Sequence, residues 1–134
     1  MKLSEMTDEQ KGRWIAEKLG YSVQLTRDTC EYHAQYYAQT STAGAALCYH
    51  LKPPNAEYVW QGPCRIARSE AELLADMIRD PVMSWILFEW LDSTSQRSWI
   101  EIRRKQHQAV TGEWLPLKMA TADAVMLANG FREE

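Results

Sequence analysis

No stretch of about 18 apolar residues occurs in the chain, so no membrane-spanning segment is expected. The opening residues, MKLSEMTDEQ, lack the apolar centre of a signal peptide, and a cytoplasmic location is predicted. Cysteine is scarce: Cys30, Cys48 and Cys64 are odd in number and follow no disulfide-scaffold spacing, which points to a reducing compartment. Excess positive charge is also absent. A net charge of −3 excludes a protein that holds nucleic acid by bulk charge, and it is too small for a DNA mimic. The phosphate-binding patterns GxxxxGK[ST] and GxGxxG are missing, as are HExxH and GxSxG, so an enzyme is not expected. No internal repeat, low-complexity tract or linker divides residues 1–134, which read as a single domain.

What is present is a globular composition, 46% apolar and 25% charged, with six Trp and six Tyr. Those aromatics exceed what one core needs, and both types are favoured at interfaces. The richest stretch is 82–105, which reads as a β-hairpin. Ser84–Leu91 is apolar on both faces, as in a central strand covered above and below. Asp92–Gln96 supplies the turn. In Trp99–Lys105, Ile100 and Ile102 alternate with Trp99, Glu101, Arg103 and Lys105, the pattern of a half-buried strand.

Helices are predicted on either side. Met6–Leu19 carries the capping box Thr7–Gln10, an apolar stripe of Trp14, Ile15 and Leu19, and a stop at Gly20. Ser69–Asp80 has Leu73, Leu74, Met77 and Ile78 on one face, with Glu70, Glu72, Asp76 and Arg79 pointing away, and Pro81 ends it. Ala120–Asn129, capped by Thr121, ends at Gly130 with Phe131 folding back onto Met126. Between these, Tyr32–Gln39 alternates as a strand does, although its Ala and Gln also suit a helix. Ser41–Leu51 reads as a short helix ended by Pro53-Pro54, Glu57–Gln61 as a short strand before the Gly62-Pro63 turn, and Glu113–Leu117 as an edge strand. The expected fold is α+β: a mostly antiparallel sheet of three or four strands packed by helices on both faces, an α-β-α sandwich.

Candidate chemistry is sparse. Cys30, His33, Cys48 and His50 are zinc-ligand types, but their spacing forms no knuckle, and ordinary buried thiols are the simpler reading. Neither a metal nor a cofactor is expected. A Cys–His nucleophile pair drawn from Cys30, Cys48 or Cys64 and His33, His50 or His107 lacks a motif that places thiol beside base. The basic run Arg103–Lys105, flanked by Trp99 and Trp114, has the composition of a phosphate-contacting, base-stacking strand, and equally that of a charged sheet edge.

The opening MKLSEMTDEQKGRWIAEKLGYSV, the helix SEAELLADMI, the strand WIEI and the closing MATADAVMLANG together resemble small phage and prophage proteins of the α-β-α sandwich type. Residues 24–66 have no counterpart in that resemblance, and it carries no catalytic residues. It implies a sandwich fold and a phage origin in a bacterial host cell. The expected function is a small non-enzymatic binding protein that occludes a host protein of an antiviral defence system. Its partner face would be Trp99, Glu101, Arg103 and Lys105. A nucleic-acid-binding accessory protein using Arg103–Lys105 is the alternative, and a small Cys-dependent enzyme the third.

Overall fold

The computed structural model describes residues 1–26, 48–54, 64–66 and 70–133. Helix α1 (Asp8–Leu19) starts on its predicted signal: the Gln10 N–H donates to the Thr7 hydroxyl at 3.2 Å, and the Thr7 N–H donates to the Gln10 side chain at 2.9 Å. Gly20 ends it at φ 84°. Strands β1 (Ser22–Thr26), β2 (Cys48–Lys52) and β3 (Cys64–Ile66) form an antiparallel sheet in that order. Val23 and Leu51 are cross-strand partners, and Leu51 is buried in the core.

Strand β2 replaces the short helix expected over Ser41–Leu51 for residues 48–51. The rest of that segment lies outside the described residues, as do Tyr32–Gln39 and the Glu57–Gln61 strand with its Gly62-Pro63 turn.

Helix α2 (Glu70–Arg79) buries Leu73, Leu74, Met77 and Ile78 as predicted, but it also buries Asp76, which was expected on the outer face. Two helices follow where a hairpin was expected: α3 (Pro81–Ser93) and α4 (Ser98–Thr111). The last is α5 (Leu117–Ala128). The α-β-α sandwich centred on a strand at 84–91 is therefore overturned. The described residues are mostly helical, and the sheet is small and lies elsewhere in the chain. Among them no helix is long and apolar enough to cross a membrane.

The physical reason lies at residues 80–83. Asp80-Pro81 stops one helix and starts the next. The Asp80 carboxylate accepts from the Val82 and Met83 N–H groups at 3.0 and 3.1 Å, and Pro81 occupies the first turn, where a missing N–H costs nothing. Once started, the helix buries Met83, Leu87 and Leu91, spaced four apart. A short apolar run fits a buried helix as well as a buried strand, and here the cap decides. Similarly, α4 stops at Gly112, whose φ is 77° and whose N–H donates to the Gln108 carbonyl at 2.8 Å.

Phe88 is consequently not a central-strand residue but a half-buried one at the edge of the core. Phe88→Ala is expected to lower stability by about 1–2 kcal/mol in urea titration, less than the 3–5 kcal/mol usual for a fully buried Phe.

The other elements pack around α5. Seven consecutive residues, Ala120 to Met126, are buried, and the helix touches α1, α2, α3 and α4. Such all-round burial is what a central helix shows. Pro116, expected in an edge strand, instead precedes α5, and the helix begins before the predicted Ala120. Thr121 is therefore no cap: it is buried, and its hydroxyl donates to the Leu117 carbonyl at 2.7 Å. The C-terminal prediction holds. The Phe131 N–H donates to the Met126 carbonyl at 3.0 Å and the Gly130 N–H to the Leu127 carbonyl at 3.1 Å, with Gly130 at φ 92°. The Phe131 ring then meets Trp14 of α1 edge-on, 5.4 Å between centroids.

Candidate functional site

On a helix, residues two apart do not share a face, and the set Trp99, Glu101, Arg103 and Lys105 divides accordingly. Trp99 is half-buried against the core. Glu101 and Lys105 lie one turn apart in water, 3.6 Å from each other. Ile102, expected inside, is 42% exposed. Arg103, expected outside, is buried, and its Nε donates to Asp123 Oδ2 at 2.8 Å. The other oxygen of Asp123 accepts from Lys11 Nζ at 2.7 Å. A carboxylate on the central helix thus holds cations from α1 and α4, with all three groups out of water.

Two of the three side chains of the basic run are engaged within the fold. Arg103 goes to Asp123, while Arg104 donates to the Leu115 carbonyl at 2.9 Å with its guanidinium over the Trp114 ring. Lys105 faces Glu101. These residues form one ion-paired helix rather than one recognition surface.

The exposed aromatic surface lies on α3 instead. With Met83, Leu87 and Leu91 turned inward, Val82 and Trp85 face outward, 58% and 59% exposed. A helical period applied to 82–93 would have placed Trp85 on the outer stripe with Glu89 and Asp92; the period-two reading hid it. Trp85 stacks on Phe88, 5.8 Å between centroids and 18° between planes, and Arg97 lies over the Phe88 ring at 5.2 Å. Between the first turns of α3 and α5 runs an open groove of about 500 Å³, lined by Pro81, Ser84, Trp85, Phe88, Leu117, Lys118 and Thr121. Leu117 is 51% exposed. Ser84 Oγ is buried there without a hydrogen-bond partner among the described residues. Alternating walls of indole, phenyl and isobutyl groups with few polar atoms suit an apolar side chain.

A second depression, lined by Glu72, Asp76, Arg79, Asp80 and Pro81, has its charges already engaged in part. Arg79 holds Asp8 of α1, and Asp80 caps α3.

Of the thiol and imidazole candidates, Cys30 and His33 lie outside the described residues. Cys48 and His50 belong to β2 and Cys64 to β3, where His50 and Cys64 are backbone partners. His107 is on α4. Among the described residues no three His, Cys, Asp or Glu side chains converge as metal ligands. No family model, curated protein or solved structure matches the chain.

Proposed function

We propose that this protein is a small non-enzymatic binding protein, of the kind carried by phages and prophages, that occludes a host protein of bacterial antiviral defence. Trp85 is the anchor of the contact in this reading. The observation that supports it is the 59% exposure of that indole beside an apolar groove. A Trp held open to water beside such a groove has the composition of an interface hot spot, where Trp and Arg supply much of the binding energy. The nucleic-acid alternative drew on Arg103–Lys105. Engagement of Arg103 and Arg104 within the fold, which leaves only Lys105 in water, favours a protein partner over it.

The test places a photo-crosslinking residue at Trp85 and, as a control, at Glu101, in bacterial cells. A single host protein captured from the first position and not from the second is the expected result. With that protein purified, Trp85→Ala lowers affinity at least about tenfold by calorimetry. Its stability falls by no more than about 1 kcal/mol, the loss of stacking on Phe88, because the side chain is otherwise exposed. Unchanged affinity in a folded Trp85→Ala variant would remove the groove from the contact.

A further inference from the structure

Among the described residues that line the groove, Lys118 is the only charged one, and it has no ion-pair partner among them. It sits in the first turn of α5, which is electrostatically open. The cap position is Pro116, no side chain accepts from the first-turn N–H groups, and no acidic residue lies in that turn. The N–H groups of residues 117–119 therefore have no intrahelical acceptor, and the positive end of the helix dipole is uncompensated. Of the acids on the flanking segments, Asp80 accepts from two N–H groups of α3 and Asp92 faces Arg97 at 3.4 Å, while Glu89 and Glu113 lie outside the groove's lining. In a chain of net charge −3, this is a local positive end beside an apolar wall.

We infer that the groove receives an acidic amphipathic segment of the partner protein, with an apolar side chain against Trp85 and Phe88 and a carboxylate at Lys118 and the open turn of α5. The inference rests on the groove being the partner surface and adds the charge of what enters it. A basic segment would set its cation against Lys118 and three unpaired N–H groups. A purely apolar one would leave those donors to be desolvated without an acceptor. The carboxylate supplies the acceptor and its charge complements both the lysine and the helix end.

The chemistry is read out with two dyes that share one ring system, anilinonaphthalene sulfonate and its uncharged parent N-phenylnaphthylamine, titrated into the folded protein. The sulfonate is expected to bind at least about fivefold more tightly, the difference a helix end and one lysine supply. Trp85→Ala weakens both dyes, whereas Lys118→Gln narrows the preference between them to the part the helix end supplies and leaves the uncharged dye unaffected. A helical peptide of Leu, Ala and Glu displaces the sulfonate, and its Lys-for-Glu counterpart does not. Equal binding of the two dyes, no binding of either, or a preference that Lys118→Gln leaves undiminished would overturn the inference. So would displacement by single-stranded oligothymidylate but not by the glutamate peptide, or dye affinity that falls as protein concentration rises, the sign of a second copy covering the groove. None of these outcomes depends on the crosslinking result, which judges the partner surface itself.

Discussion

Asp123→Ala is expected to lower the stability of the protein by about 3–5 kcal/mol in urea titration, enough to unfold a small domain of ordinary stability. Asp123 is 0% exposed, and the cations it holds, Lys11 and Arg103, are 3% and 7% exposed. Its two oxygens serve one cation each, at 2.7 and 2.8 Å. Deleting the carboxylate leaves two positive groups buried near each other with their counter-charge gone, and dehydration of an unpaired ion is the largest single term available. The companion variant Lys11→Met separates this account from simple loss of packing. It leaves Arg103 and Asp123 as a balanced pair and fills the stem volume of the lysine, so its cost is the smaller of the two. A Lys11→Met loss exceeding that of Asp123→Ala would sink the electrostatic explanation.

Gly12→Ala is expected to cost about 2–3 kcal/mol, the upper part of the range for overpacking. The sign is informative, because in an open helix the same change is favourable by about 1 kcal/mol. A Cβ at Gly12 would stand 1.7 Å from the Leu74 carbonyl oxygen and 2.7 Å from its carbon. Both are backbone atoms of α2 and cannot swing aside as a side-chain tip would, so α1 and α2 must move apart and loosen Ile15, Leu73 and Met77. Gly112 is the contrast: its φ is +77° and no atom lies within 4 Å of its virtual Cβ. Gly112→Ala therefore carries only the conformational cost, about 1 kcal/mol. Chemical denaturation of the two variants side by side checks the order, and a stabilised Gly12→Ala would contradict the close approach of the helices.

Where a feature depends on residues within about four positions of each other, the sequence alone determined it. The Thr7–Gln10 box, the buried face of α2 and the Gly130–Phe131 ending are all of this kind, since each is a hydrogen bond or a stripe set by one stretch of backbone. The start of α3 was equally local. Asp80-Pro81 carries a cap and a first-turn proline, but it was read only as the end of the helix before it.

The tertiary structure decided the rest. Residues 84–91 are apolar at both strand and helix periods, so their pattern left both forms open; the Asp80 cap starts the helix, and packing against α5 covers the face it buries. Trp85 lies outside by the helical period once α3 has formed, whereas the half-burial of Trp99 depends on the elements packed against α4. Arg103 looked like a surface cation because its partner Asp123 lies 20 residues away, and the second cation, Lys11, lies 112 residues from that carboxylate. No periodicity contains such pairings. They exist only when three helices bring their charges together away from water, where an unpaired ion would be too costly to keep.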